Sequence, residues 1–229
     1  MSAPVRLAVL ISGGGRTALN LLDAIERGEL DAAVVLAIAS RHDAAGIQRL
    51  RDRGVPVEIV ARSDFPEGSA LHDRTDELLL GAGERRSGGI GDDARAGVDL
   101  ICLCGWLRHF RLCGPKADWR GRVLNIHPSL LPRHGGTGMH GDRVHAAVLA
   151  AGDALSGCTV HEVDEIYDHG PTLLQKTVPV LAGDDVQTLA ARVFAAECAA
   201  YPEAVRLWIA RRRRERRGTE TRSTPRIGT

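Results

Sequence analysis

Asn125 and His127 are the residues whose types and spacing most directly suggest chemistry. They lie in the segment Asn125-Ile-His-Pro-Ser-Leu-Leu-Pro132, which begins near the end of a short apolar run that predicts a strand. Side chains two residues apart on an extended segment point to the same side, so the amide and the imidazole face one ligand. An amide stabilises an oxyanion and an imidazole moves protons near neutral pH, which are the two roles that acyl transfer needs. A surface or capping histidine is the alternative that this motif leaves open.

An acidic segment, Asp164-Glu-Ile-Tyr-Asp168-His-Gly-Pro171, follows a second apolar run. A carboxylate in such a loop can orient a histidine and stabilise its positive charge, as the third group of a catalytic set does. A solvated acidic turn is the alternative interpretation of the segment alone. Because the acidic segment occurs together with the Asn125 motif, the catalytic interpretation of the segment is favoured.

A glycine turn, Ser12-Gly-Gly-Gly-Arg-Thr17, connects the first predicted strand to the first predicted helix. Glycines let the backbone approach a ligand closely, and the free amides and helix dipole at this point attract an anion such as phosphate. Arg16 would add charge-assisted hydrogen bonds. A glycine turn that serves packing alone is the alternative.

The elements that must position these motifs alternate along the chain as short apolar runs and helical patterns. This alternation predicts parallel βαβ units, and therefore an α/β fold in which a single Rossmann-like domain has a mostly parallel sheet flanked by helices. Ligands bind such sheets at the carboxyl ends of the strands, where all three motifs fall. Strands are predicted at 7–11, 33–39, 56–60, 98–104, 122–126, 158–163 and 173–180. Helices are predicted at 17–27 and 44–53, in a stretch that ends near 80, and at 185–211 with an interruption near Pro202.

Length and local composition predict one domain with a short tail. A chain of 229 residues with 44% apolar residues can bury one substantial core, which we assign to residues 1–212. Residues 213–229 are polar and lack periodicity, so disorder is predicted after about 215. The segment from 81 to 97 is rich in glycine and poor in apolar residues, which predicts a mobile surface loop.

Charge and cysteine content argue against several partner classes. The formal net charge is only +1, which gives no overall case for nucleic acid or a membrane surface. No apolar run approaches the roughly 18 to 20 residues that span a bilayer. The five cysteines fit neither a zinc pair nor a secreted disulfide framework, so a cytoplasmic protein without a metal is expected.

The three motifs together resemble the formyltransferases that use 10-formyltetrahydrofolate as co-substrate, over residues from about 6 to about 210. The resemblance implies a catalytic trio of Asn125, His127 and Asp168. In the family's chemistry an amine attacks the formyl carbon, the asparagine and protonated histidine stabilise the oxyanion, and the aspartate holds the histidine. The Ser-Gly-Gly-Gly start and the length are similar to members that formylate glycinamide ribonucleotide in purine biosynthesis.

The same resemblance implies the substrate-binding residues and no metal or tightly bound cofactor. The substrate phosphate would lie on the turn formed by Gly13, Gly14, Gly15, Arg16 and Thr17, and Glu197 would contact the glycinamide part. The pterin ring of the reduced folate would lie between two segments, Leu107, Arg108, His109 and Phe110 on one side and Asp164, Glu165, Ile166 and Tyr167 on the other.

Three departures from the family's pattern concern binding. Arg16-Thr17 stands where Ser-Asn is commoner, and the stretch from Asp64 to Ser69 has no counterpart of an arginine that faces the substrates in some relatives. The segment from Arg133 to His140 is richer in glycine than the lysine-aromatic version. The trio is unaffected by these changes.

Three alternatives remain. A methionyl-tRNA formyltransferase shares the trio but adds a tRNA-binding domain, whereas only about twenty residues, including the basic run 211–217, follow the core here. A formyltetrahydrofolate hydrolase normally has an N-terminal regulatory domain, whereas this chain begins at the first predicted strand. A binding module for phosphate ligands would need none of the trio. With aromatic residues at only 3%, a monomer or weak homodimer is expected.

Overall fold

A single seven-stranded sheet organises the protein. The computed structural model describes residues 3–82 and 97–222, with side chains described as far as Glu215. The strand order is β3-β2-β1-β4-β5-β6-β7; β1 to β5 are parallel, and β6 and β7 run antiparallel to their neighbours. The strands are β1 (Val5–Ile11), β2 (Ala32–Ala39), β3 (Val57–Ile59), β4 (Leu100–Leu103), β5 (Val123–His127), β6 (Leu155–Glu162) and β7 (Thr172–Pro179). The predicted mostly parallel α/β sheet is confirmed.

Both faces of the sheet are covered, which explains why β2 and β4 are apolar at every residue. One face packs against α1, α2, α4 and α5, with Leu21 and Tyr201 fully buried there. The other packs against α3 and the chain around Trp119. The helices are α1 (Arg16–Glu26), α2 (Gly46–Asp52), α3 (Gly68–Gly81), α4 (Asp142–Ala150) and α5 (Val186–Arg222).

Helix α5 passes through Pro202 without a break, so the predicted interruption is wrong. Proline has no N–H, and therefore the carbonyl of Cys198 loses its helical partner. The side chain of Asn20 in α1 replaces that partner, since its Nδ2 donates to the Cys198 carbonyl at 2.9 Å. A contact from a neighbouring helix thus compensates for the proline.

The same helix continues to Arg222, past the boundary placed at 212 and the disorder predicted after about 215. Arginine and glutamate favour helix, and ion pairs add to this preference although apolar periodicity has ended. Arg211 pairs with Glu162, Arg213 pairs with Asp31, and Arg212 lies 3.3 Å from Glu215. Residues 223–229, like most of the predicted loop at 81–97, lie outside the described residues.

Two buried hydroxyl groups hold together the strands that carry the motifs. The Tyr201 hydroxyl of α5 lies 3.1 Å from the carbonyl of Leu103, the last residue of β4, and 2.9 Å from that of Leu124 in β5. The hydroxyl of Ser12 lies 2.7 Å from that of Ser40 and accepts the Leu107 N–H at 3.0 Å. These contacts tie the ends of β1, β2 and β4 to one another and to β5. Within the described ranges, no helix is both long and apolar enough to span a bilayer.

Candidate active site

One cavity of about 500 Å³ opens at the carboxyl ends of β1, β4 and β5 and brings the three motifs together. This is the edge at which a ligand is expected in a sheet of this kind. Of the residues predicted from the sequence, Glu165 alone does not line it. Those that do are Gly13, Gly14, Gly15, Arg16, Thr17, Leu107, Arg108, His109, Phe110, Asn125, His127, Asp164, Ile166, Tyr167, Asp168 and Glu197.

Asp168 connects the members of the predicted trio. Asn125 Nδ2 donates to Asp168 Oδ1 at 3.3 Å, and His127 Nδ1 lies 3.3 Å from Asp168 Oδ2. The backbone N–H of Gly136 donates to the same Oδ2 at 3.0 Å. Asp168 itself has a φ of 56°, a left-handed conformation that non-glycine residues adopt at a cost. The structure therefore gathers an amide, an imidazole and a carboxylate at one end of the cavity.

His127 is nearly inaccessible, with 4% of its surface exposed. Its Nε2 lies 2.8 Å from the backbone carbonyl of His134, which can only accept, so Nε2 carries a hydrogen. Burial lowers the pKa of His127, while the Asp168 charge and the His134 carbonyl partly oppose that effect. An imidazolium at this position would have an acceptor on each nitrogen.

His161 completes the arrangement and was not predicted. It lies directly opposite Asn125 in the β5–β6 pairing and is only 2% exposed. Its Nδ1 donates to the Glu162 carbonyl at 3.0 Å, and its Nε2 lies 3.1 Å from Asn125 Nδ2 and 3.6 Å from Asp168 Oδ1. A neutral His161 accepts the Asn125 N–H, and a protonated one pairs with Asp168. In the sequence it is a lone histidine in an apolar strand. Its position opposite Asn125 can be recognised only once β6 is known to be antiparallel to β5.

The charge of Asp168 is supported from three sides. Burial works against ionisation, but the hydrogen bond with His161, the charge of His127 and the Gly136 amide together lower the pKa of Asp168. The carboxylate is therefore ionised near neutral pH and acts as an acceptor. Such a group can orient His127 and stabilise its protonated form.

Glu197 and Arg16 lie on the side of the cavity formed by α1 and α5. Burial raises the pKa of Glu197 to about 7, against the opposing charge of Arg16. The Arg16 guanidinium lies 4.1 Å from the centre of the Phe194 ring. Gly15 precedes α1 with a φ of 70° and no side chain caps the helix, so the first amides of α1 are available to an anion.

Comparison with known proteins identifies the family. The model of the family described as "Formyl transferase" matches residues 5–205. The chain belongs to the formyl transferase family.

Members of this family that resemble the chain have names from purine biosynthesis. It is 37% identical over 201 residues to the chloroplastic phosphoribosylglycinamide formyltransferase of Vigna unguiculata, covering 87% of this chain and 59% of that protein. It is 37% identical over 204 residues to the trifunctional purine biosynthetic protein adenosine-3 of Drosophila pseudoobscura pseudoobscura, covering 88% of this chain and 14% of that one. The chain thus spans less than two thirds of the length of these relatives.

Solved structures of family members share the fold. Glycinamide ribonucleotide transformylase 1 from Symbiobacterium toebii superposes with a TM-score of 0.77 at 37% identity, covering 91% of this chain and 89% of that one. This agreement extends over the seven-stranded sheet and the helices that flank it. The formyl transferase assignment thus rests on both sequence and fold.

The opposite wall of the formyl transferase cavity is apolar at its rim. Leu107 is 52% exposed, Ile166 62% and Tyr167 41%, all beside the cavity mouth. His109 and Tyr167 pack edge to face with ring centres 5.4 Å apart, and His109 Nε2 lies 3.1 Å from the Glu165 carbonyl. Glu165 therefore contributes a backbone contact to this wall, although its side chain does not line the cavity.

Arg108 is turned into the strand ends. It donates to the Val60 carbonyl at 2.8 Å and also to the carbonyl of Ser40. Burial and the nearby charge of Arg62 lower its pKa. Arg108 thus lines the cavity, and its guanidinium joins β2 to the segment after β3.

A further histidine that lines this cavity, His145, was also not predicted from the sequence. It is 5% exposed on α4, and burial lowers its pKa. Among the described residues its Nδ1 has no hydrogen-bond partner. Helix α4 itself was not predicted, because only Val144, His145 and Val148 are buried on it and they form too short a stripe to reveal a helix.

No cluster of three or more potential metal-ligating side chains occurs in the ranges that the structure describes.

Proposed function

We propose that this protein transfers the formyl group of 10-formyltetrahydrofolate to the amine of glycinamide ribonucleotide, a step of purine biosynthesis. The observation that carries the proposal is the convergence of Asn125, His127 and Asp168, with Asp168 at 3.3 Å from each of the other two. They lie in one cavity between the glycine turn and the apolar wall. The names of the family members described above support the choice of acceptor.

The trio acts on the formyl group as one unit. The acceptor amine forms a new C–N bond to the formyl carbon, and negative charge develops on the formyl oxygen. The positive charge of protonated His127 and the amide dipole of Asn125 stabilise that charge, and Asp168 keeps His127 oriented and favours its charged form. The bond from the formyl carbon to N10 of the folate then breaks, and the proton lost by the amine ends on N10. Formylated acceptor and tetrahydrofolate leave.

The acceptor binds on the α1 side of the cavity. Its phosphate lies against the amides of Gly13 to Thr17, where the uncapped N-terminus of α1 and the charge of Arg16 attract an anion. Glu197 faces the same side and contacts the glycinamide part. Because the pKa of Glu197 is raised to about 7, it can either accept or donate a hydrogen bond to that group near neutral pH.

The reduced folate binds against the opposite wall. The exposed apolar side chains of Leu107, Ile166 and Tyr167 offer surface for its aromatic part. Backbone groups of 107–110 and 164–167 supply hydrogen bonds to the pterin ring. This arrangement places the two substrates on either side of the trio, as a direct transfer requires.

Three further properties belong to this proposal. Residues 1–212 form the catalytic domain, with the end of α5 beyond it. All five cysteines are free thiols, which supports a reducing, cytoplasmic setting. We propose a monomer or weak homodimer without a nucleic acid partner.

An absorbance assay of deformylation tests the function. The purified protein is mixed with a 10-formylfolate donor, with and without glycinamide ribonucleotide. Loss of the formyl group only with the ribonucleotide is expected. Equal loss without an acceptor would identify a hydrolase, and no loss in either case would refute the transferase. A His127→Ala variant that binds the ribonucleotide but does not turn over serves as the control for contaminating activity.

A further inference from the structure

The turn behind His127 is held in an unfavourable backbone conformation. His134 has a φ of 54°, in the left-handed region that a residue with a side chain rarely adopts. This conformation directs its carbonyl to within 2.8 Å of His127 Nε2. Because the conformation is unfavourable in isolation, other contacts must stabilise it.

The side chain of His134 supplies such a contact away from the cavity. Its Nε2 lies 2.7 Å from Asp153 Oδ2, in the turn between α4 and β6. The Asp153 side chain is only 9% exposed, and it pairs with Arg133 as well. His134 and Asp153 line a second cavity of about 310 Å³ with Leu130 and Ser156, and neither lines the catalytic one.

The state of Asp153 suits this contact. The hydrogen bond with His134 lowers the pKa of Asp153, burial opposes that effect, and the charges of Arg133 and His134 add to it. Asp153 is therefore an ionised acceptor, and Nε2 of His134 is the donor. The pair holds the side chain of His134 on one side of the turn while its carbonyl faces His127 on the other.

We propose that His134 and Asp153 are positioning residues for His127. Their pairing keeps the His134 carbonyl on His127 Nε2, so the imidazole ring is held between that carbonyl and Asp168 with a hydrogen on Nε2. Neither residue contacts substrate. The inference rests on the proposed function for its kinetic consequence, although the contact itself does not.

The consequence is a specific kinetic effect. Without the carbonyl, the His127 ring can rotate away from the orientation that stabilises the oxyanion, whereas the substrate-binding walls are unchanged. We expect His134→Leu to lower kcat about tenfold, which is about 1.4 kcal/mol of transition-state stabilisation. The KM values for donor and acceptor should change less than about twofold. His134→Gln keeps an N–H donor for Asp153 and should restore most of the lost kcat.

The experiment compares three variants with the wild-type protein. His134→Leu and His134→Gln test the donor, and His42→Leu is the matched control, since His42 also pairs with an aspartate, Asp64, at 2.9 Å but on an exposed surface. Steady-state kinetics are measured with both substrates at pH 7. Nitrogen-15 NMR of His127 reports whether Nε2 keeps its hydrogen and hydrogen bond, and circular dichroism confirms that each variant is folded.

The expected pattern is a loss of kcat with altered His127 signals in His134→Leu alone. Wild-type kcat and unchanged His127 signals in a folded His134→Leu would overturn the inference, as would an equal loss in His134→Gln or in His42→Leu. The NMR measurement needs no turnover. If the wild-type protein transfers no formyl group, the proposed function fails, while the His127 signals still decide whether His134 positions that ring.

Discussion

Replacement of Glu197 by glutamine should change how stability depends on pH. Burial raises the pKa of Glu197 from 4.5 to about 7, so the folded protein binds this proton more tightly than the unfolded chain does. As pH rises from about 4.5 to about 7, wild-type protein therefore loses stability at this site. Above about 7 the loss is complete. A glutamine has no proton to lose and shows no such change.

The size of the effect follows from the two pKa values. Each pKa unit corresponds to about 1.4 kcal/mol, so the rise from 4.5 to about 7 corresponds to about 3 kcal/mol as an upper limit. We expect Glu197→Gln to gain up to this amount over the wild-type protein between pH 4.5 and pH 8. Arg16 opposes the rise in pKa, so Arg16→Gln in the wild-type background should extend the loss of stability to higher pH and make its total larger.

Urea unfolding at pH 4.5, 6, 7 and 8 measures this difference. Glu203→Gln on the same helix is the control of opposite sign, because its hydrogen bond with Lys176 lowers the pKa of Glu203. The Glu203 variant should lose stability relative to wild type as pH rises to about 4.5, and the difference should then stay nearly constant from pH 6 to pH 8. A difference between wild type and Glu197→Gln that is the same at every pH would refute the reasoning, whatever the activity of the variant.

Three further outcomes are expected. His127→Ala and Asp168→Asn should each lower kcat at least about 100-fold in the formyl-transfer assay. Because the two residues act as one unit, kcat of the double variant should be little lower than that of either single variant. Additive losses of kcat would contradict this. Gly170→Ala should lower both the melting temperature and kcat, because the Cβ of the new alanine would lie 1.8 Å from the Glu162 carbonyl oxygen. A melting temperature equal to that of the wild-type protein would disprove this clash. A chain ending at Arg211 should keep full activity, because the exposed ion pairs that it loses at the end of α5 are each worth less than about 1 kcal/mol. If the shortened chain is folded like the wild-type protein but has lost activity, the end of α5 has a role in the reaction.

The sequence was sufficient to predict the α/β class and the location of the cavity. Apolar runs separated by helical patterns require a parallel sheet, and the motifs lie at strand ends because only there is the backbone free to leave the sheet. Asn125 and His127 could be paired from their spacing alone. Their partner Asp168 is distant in sequence, and its segment alone is described as well by a solvated turn; only the co-occurrence of the motifs and the resemblance to the family indicated its catalytic role.

The features that were missed depend on contacts between distant segments. His161 joins the trio because β6 reverses direction and places it opposite Asn125, and an apolar strand reads the same in either direction. Pro202 remains within a helix because Asn20 of another helix accommodates it. His134 acts through a backbone carbonyl, and no residue type reveals the direction of a carbonyl. Local patterns carry none of this information.

The hydroxyl of Tyr201 has a consequence for which acceptors fit. Tyr201 and Glu197 are one helical turn apart on α5, and the hydroxyl holds the carbonyl of Leu124, the residue directly before Asn125. The spacing between Glu197 and the trio is therefore set by a rigid link through the core. If the proposed function holds, the cavity thus gauges the glycinamide end of the acceptor: an amine one methylene nearer to or farther from the group that contacts Glu197 would miss the reacting carbon.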